Sequence, residues 1–311
     1  MSESSKGVLA IAAACVVWGL SGIFFKALAA VPPAEVLSHR VLWTVLFFGA
    51  VLAIQGRLGE VATAARRGRN WLILSTTALM IAANWWGFIF AVQSGRALEA
   101  SLGYYVFPLV AAGLGYVVLG ERFSRAQGAA IALAAAAVAI LTLGLGAPPW
   151  IALMLAITFG VYGLLKNRLG LGPVVSVFFE TGLLAPLALI WLAGLHSGAL
   201  ADLSGRPGAH FGSDLGVTVL LMLSGPLMTG GPLMLFSYAA RRIRLATLGL
   251  VQYLNPTLQF AVATLVFGEA FTLWHAVAFP MIWAALAIYS VGAWRGARHA
   301  PPAGARGRAA G

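Results

Sequence analysis

Apolar positions along this chain come in long blocks, and short polar stretches between them hold most of the charge. The blocks fall at about 7–30, 34–55, 71–93, 98–119, 125–146, 148–167, 173–194, 216–239, 246–267 and 272–294. Each is close to the ~20 residues a helix needs to cross hydrocarbon. They are runs of Ala, Leu, Val and Gly, unlike the ~10-residue alternating segments of a membrane β-barrel. The pattern predicts an all-α polytopic membrane protein of ten transmembrane helices. The first block resembles a signal peptide in having Ala27 and Ala29 near its end, but its length and Lys26 favour a retained span.

The pattern also repeats. "GYYVFPLVAAGLGYVVLGE" (103–121) is answered by "VQYLNPTLQFAVATLVFGE" (251–269): Tyr105, Pro108, Gly120 and Glu121 correspond to Tyr253, Pro256, Gly268 and Glu269 at an offset of 148. "WGLSG" (Trp18 to Gly22) is answered by "FGVYG" (Phe159 to Gly163) at an offset of 141. Five helices per half is an odd number, so the second half enters the membrane from the opposite side. This predicts two inverted five-helix repeats, 1–146 and 147–294, an architecture common in secondary transporters.

Composition agrees with a bilayer as solvent. Of the 311 residues, 60% are hydrophobic and 9% charged, with mean hydropathy +0.90, against roughly 25% charged in soluble proteins. A net charge of +11 would suggest nucleic acid in a soluble chain, but the basic residues are distributed by side. With a cytoplasmic N-terminus the inner segments hold Lys6, Arg57, Arg66, Arg67, Arg69, Arg122, Arg125, Lys166, Arg168, Arg241, Arg242, Arg244, Arg295, Arg298, Arg306 and Arg308. Only Lys26, Arg40, Arg96 and Arg206 fall outside. This is the positive-inside asymmetry: it places both termini in the cytoplasm and argues against a nucleic-acid partner. The single cysteine, Cys15, lies within the first span and excludes an internal disulfide. Residues 295–311, rich in Gly, Ala, Pro and Arg, read as a disordered basic tail.

Pro108 and Pro256 each lie ten residues into a span, from opposite faces, about 15 Å deep at 1.5 Å per residue. Each deprives the carbonyl four residues earlier, on Tyr104 and Gln252, of its helical donor. One reading is a bend that fits the helices to the bundle, which membrane helices tolerate. The other is a midplane cleft, because paired Pro interruptions point to binding sites in inverted-repeat transporters. Tyr104, Tyr105, Gln252, Tyr253 and Asn255 concentrate polar tips there. Asn84, Trp85 and Trp86 form a further midplane candidate, and the other half is interrupted at the corresponding place, Gly230, Gly231 and Pro232. With Trp18, these residues are the expected substrate-binding set.

These residues resemble the EamA-type permeases of the drug/metabolite transporter superfamily, and within it the RarD-like proteins named for chloramphenicol sensitivity. The resemblance covers about Gly7 to Trp294. It rests on "VVWGLSGIFFK", "PPAEVLSHR", "NWWGFIFAV", "LEASLGYYVFPL" with "LGERF", and "LATLGLVQYLNPTL" with "FGE". It implies an inner-membrane permease of two five-helix repeats that moves small organic solutes. Such families usually show Asn before the helix-four proline in one repeat or the other; here Phe107 precedes Pro108 and Asn255 precedes Pro256.

Other motifs have structural and functional readings side by side. Glu121 and Glu269 precede helix starts, where a dipole favours carboxylates, with Ser124 and Gln127 forming a capping-box pattern and Thr272 an N-cap. Glu35 and His39, at i and i+4, with Arg40 beside them, form either an interfacial cluster or an outer gate with Lys26; Arg96 and Glu99 could join it. Glu180, ~10 Å into its helix, is an intramembrane acid and hence a proton-coupling candidate, with a static pair to Lys166 or Arg168 as the alternative; Glu99 is the second candidate. "GLSG" matches the G-x-S-G of intramembrane serine proteases, with His39 as a conceivable base. The repeat replaces Ser21 by Tyr162 while keeping Gly19 and Gly22 as Gly160 and Gly163, which favours small-residue helix packing. No zinc, P-loop or paired-aspartate motif appears.

The resulting expectation is a non-enzymatic secondary transporter in the inner membrane, working by alternating access on a small organic solute. Its partners are that solute, membrane lipid and, through Glu180, protons; no cofactor or metal is called for. A channel is the alternative.

Overall fold

The computed structural model describes residues 1–66, 68–120, 124–166, 168–200 and 209–299. Arg67, Glu121 with its expected capping role, Arg122, Arg206 and residues 300–311 of the tail lie outside the described residues. Every regular element among the described residues is helical. Eight segments are long and apolar enough to cross a membrane: Glu3–Ala27, Pro33–Ile54, Asn70–Gln93, Ala97–Val118, Arg125–Leu145, Pro173–His196, Leu215–Ala240 and Leu273–Gly292. A ninth apolar helix, Trp150–Lys166, has 17 residues.

The helices are α1 (Glu3–Ala27), α2 (Pro33–Ile54), α3 (Leu58–Arg66), α4 (Gly68–Gln93), α5 (Ala97–Leu119), α6 (Arg125–Leu145), α7 (Trp150–Lys166), α8 (Pro173–His196), α9 (Leu215–Leu223), α10 (Gly231–Ala240), α11 (Leu245–Gln252), α12 (Leu254–Ala261) and α13 (Leu273–His299). The helical path is widened into π turns at Pro226–Gly230 and Val262–Val266. The short α3, in the loop after the second apolar block, has no counterpart in the block pattern, and α13 carries helix five residues into the expected tail.

Local chemistry explains most boundaries. Ser2 caps α1, its hydroxyl accepting from Ser5 N at 3.1 Å. The capping box at Ser124 forms as expected: Gln127 Oε1 accepts from Ser124 N at 2.9 Å, and Ser124 Oγ accepts from Gln127 N at 3.3 Å. Gly120 and Gly268, partners in the repeat, share the left-handed conformation at φ 68° and 66°, a geometry that ends helices and favours glycine. The two prolines behave differently. α5 runs unbroken through Pro108. At Pro256 the path breaks at Tyr253, which places the proline in the first turn of α12, where a missing N–H breaks no helical bond.

By internal contact the chain forms two units, Met1–Ala111 with Trp150–Phe271, and Ala112–Pro149 with Thr272–Gly311. In the smaller unit α6 packs along α13, with Gly144 against the Trp274 indole. In the larger, α2 packs on α8, α4 on α7, and α1 on α10 and α12. Small residues allow close approach: a Cβ on Gly103 of α5 would lie 2.7 Å from the Ala152 carbonyl oxygen of α7, and one on Gly19 of α1 would lie 2.5 Å from Leu258 Cβ of α12. Gly163, the repeat partner of Gly22, faces open space, so small-residue packing is used at Gly19 and not at that position. Large apolar side chains are turned outward, among them Leu72 at 77% and Leu143 at 82% exposure, which suits lipid and not water.

One end of the larger unit holds the ion pairs of Glu3 with Lys6 and Arg242, and a cleft lined by Arg57, Pro173, Ser237 and Arg241. At the opposite end Glu269 accepts from the Ala97 and Leu98 backbone N–H groups, both at 2.7 Å, and Gln93 Nε2 donates to the Leu28 carbonyl at 3.0 Å. Glu269 therefore caps α5, not the helix that follows it in sequence.

Candidate functional site

Arg40 lies seven residues past Pro33 in α2, Trp85 eight before the end of α4 and Tyr104 seven past Ala97 in α5. At 1.5 Å per residue all three sit ~10–12 Å below the Lys26 end of the larger unit. Arg40 is 6% exposed. Its guanidinium carbon stands 4.1 Å from the Trp85 ring centroid and 5.5 Å from that of Phe25. Its Nε donates to Thr229 Oγ1 at 3.1 Å, in the π turn 226–230. No carboxylate pairs with it among the described residues.

The energetics of that placement are unusual. An arginine at the centre of a membrane helix costs roughly 2.5–3.5 kcal/mol on insertion scales, while a desolvated cation over an aromatic face regains about 2 kcal/mol. The rings and Thr229 make the charge tolerable without neutralising it.

A polar network adjoins it. Tyr104 OH donates to Asn84 Oδ1 at 2.9 Å, and Asn84 Nδ2 donates to the Leu155 carbonyl at 3.0 Å and to Thr158 Oγ1 at 3.1 Å. This satisfies the Asn84 amide at 1% exposure. The Tyr104 ring meets Phe88 and Phe159 edge-on at 5.9 and 6.1 Å, and Phe107 packs on Phe159 at 5.0 Å. Phe107, which precedes Pro108, is thus part of an aromatic wall.

Glu180 closes a second buried cluster. With 0% exposure, it lies 2.9 Å from Lys166 Nζ through each oxygen. It also accepts from Thr77 Oγ1 at 2.8 Å and Tyr162 OH at 3.2 Å. Lys166 is one of the two partners anticipated for Glu180 in the static-pair alternative to proton carriage. Tyr162 stacks on Phe159 at 5.9 Å, joining the two clusters.

The remaining expected residues are distributed. Trp18 Nε1 donates to the Met228 carbonyl at 3.1 Å, on the same π turn that receives Arg40. Tyr105 OH and Thr257 Oγ1 share a hydrogen bond of 2.9 Å, tying α5 to α12 beside both prolines. Asn255 accepts from Gln259 Nε2 at 3.1 Å within α12. Gln252 and Tyr253 are half-buried at the helix break, and Trp86 stacks on Phe90 at 5.1 Å.

The four outer-gate candidates do not pair with one another. Glu35 accepts from His210 N at 2.7 Å, and its other oxygen lies 2.9 Å from His210 Nδ1. His39 stacks on Phe211 at 4.6 Å, and Lys26 lies 5.7 Å from the Phe267 ring centroid. Glu99 pairs with Arg96 and accepts from Ile151 N at 2.8 Å, capping α7. Ser21 donates to the Trp18 carbonyl at 2.6 Å, and His39 is committed to Phe211 instead.

Sequence reasoning missed Phe25, Thr77, Thr158 and Thr229. The threonines were findable as polar residues inside apolar blocks, and Thr229 immediately precedes the glycine pair flagged as an interruption.

Apolar outer faces, spans of membrane length and a buried polar interior define a helical, multi-pass integral membrane protein. A model of the EamA-like transporter family matches residues 5–143. An uncharacterized transporter of Vibrio cholerae serotype O1 is 38% identical over 289 residues, covering 93% of this chain and 93% of its own. The protein RarD of Salmonella typhimurium is 38% identical over 288 residues, covering 92% and 95%. One solved structure, known only as a crystal structure of a protein, matches with a TM-score of 0.59 at 19% identity, over 94% of this chain and 98% of its own, and has the same fold. The chain belongs to the EamA-like transporter family and is of the RarD type.

Proposed function

We propose that this protein is a secondary transporter of the inner membrane that carries a small organic solute by alternating access between two inverted five-helix repeats, with both termini cytoplasmic. The observation that carries the reading is the buried cluster of Arg40, Trp85, Asn84 and Tyr104 beside a widened helix at Pro226–Gly230. Irregular backbone at membrane depth occurs where it is packed in protein or lines a cavity, and such broken helices form substrate sites in transporters. In this reading α11, α12 and the π turn 262–266 together make the ninth span, and α7 the sixth. The grouping of Lys6, Arg57, Arg241 and Arg242 at one end supports the assignment of that end to the cytoplasm.

Reporter fusions test the architecture. Fusions after Arg69, Arg244 and Gly311 should report cytoplasm, and one at Gly205 the outside. A cytoplasmic Gly205 would refute the inverted repeat. A single cysteine at Tyr253, in a Cys15-free background, should react with aqueous thiol reagents and be protected by a transported solute.

A further inference from the structure

We propose that Arg40 anchors a carboxylate, so that the solute is an organic monoanion with a partly aromatic or apolar body; the inference rests on the transport reading above. Arg40 commits only Nε to a hydrogen bond, so Nη1 and Nη2 have no hydrogen-bond partner among the described residues. The protein also contains truly sealed unpaired atoms, such as His39 Nε2, Thr44 Oγ1 and Trp191 Nε1, and the Arg40 nitrogens are not among them. Arg40 as a whole keeps 6% exposure. A guanidinium presents Nη1 and Nη2 as a planar fork that matches the two oxygens of a carboxylate, in charge-assisted bonds shorter and stronger than neutral ones.

The surroundings select among anions. Trp85 and Phe25 hold the cation through their rings, whose centroids lie 4.1 and 5.5 Å from the guanidinium carbon, and use none of its N–H donors on an oxygen. Tyr104, Phe107 and Phe159 offer an adjoining aromatic wall for an apolar body. The acids that could have received a ligand ammonium are already engaged, Glu35 with His210 and Glu180 with Lys166. One unpaired cation therefore matches one negative charge, which disfavours phosphate dianions and cationic solutes.

The test reads local charge and needs no knowledge of the natural solute. Tyr104→Cys is made in the full-length, Cys15-free chain in proteoliposomes, where losing the ring leaves room at the thiol. Modification rates are measured with a sulfonate-bearing and a trimethylammonium-bearing methanethiosulfonate. The anionic reagent should react about tenfold faster, and adding Arg40→Gln should bring the two rates to within about twofold. Arg40→Lys should keep the preference, which covers the case in which Arg40→Gln does not accumulate. 3-Phenylpropionate should slow the reaction, and its amide should not; Arg40→Lys should weaken that protection by about tenfold. Equal rates in both backgrounds, absence of reaction, or equal protection by acid and amide would overturn the anion site. Charge-selective labelling together with a cytoplasmic Gly205 fusion would instead keep the anion site and overturn the transporter architecture.

Discussion

Glu180→Gln should act on stability through Lys166. The substitution keeps the volume, but its amide offers one acceptor oxygen where Thr77 and Tyr162 now use two, and it removes the charge that faces the Lys166 ammonium, 2.9 Å from both carboxylate oxygens. Breaking a fully buried ion pair costs roughly 3–5 kcal/mol. The Lys166 side chain is 19% exposed against 0% for Glu180, and a lysine stem can carry its charge toward water. The expected cost is therefore reduced to about 2–3 kcal/mol, roughly a 30- to 150-fold loss in the folded-to-unfolded ratio. Membrane abundance and detergent melting temperature of the full-length protein should both fall. Lys166→Met should be similarly damaging, since it leaves a buried carboxylate without its cation. The double variant should recover a coupling energy of about 1–3 kcal/mol. Normal abundance and melting for Glu180→Gln, with additive effects in the double variant, would refute the static pair. Loss of pH-driven accumulation at unchanged abundance would assign Glu180 to proton carriage instead.

Two further outcomes follow from packing and capping. Gly103→Ala places a Cβ 2.7 Å from the Ala152 carbonyl oxygen and should cost about 1–3 kcal/mol, seen as reduced abundance and melting temperature, whereas Gly163→Ala meets open space and should be neutral. Glu269→Gln weakens the cap on the Ala97 and Leu98 N–H groups and should cost about 1 kcal/mol, while Glu269→Ala removes it and should cost about 2 kcal/mol, read in the same melting assay.

Length and patterning made the elements legible in the sequence, because a bilayer imposes one requirement everywhere: ~20 apolar residues with an internally bonded backbone. All-helical class, most span positions, the Ser124 capping box and the interruption near Gly230 follow from that. The amphipathic α3 was invisible because it need not cross anything. The different fates of Pro108 and Pro256 were also hidden: a proline inside a helix or in its first turn looks the same in one dimension, and only packing decides where the helix restarts.

Pairing was the other matter that only the tertiary structure decided. Proximity along α2 suggested that Glu35, His39 and Arg40 act together, yet neighbours on one helix point to different surroundings, and these three meet His210, Phe211 and Trp85. Glu269 reads as a cap for its own helix and instead caps α5, 172 residues away. A sequence places a charged residue at a depth by counting residues at 1.5 Å each. Which charge is neutralised there depends on side chains brought in by other helices, and that is why Glu180, expected to be the active acid, is paired, while Arg40, expected to belong to a gate, has no carboxylate partner among the described residues.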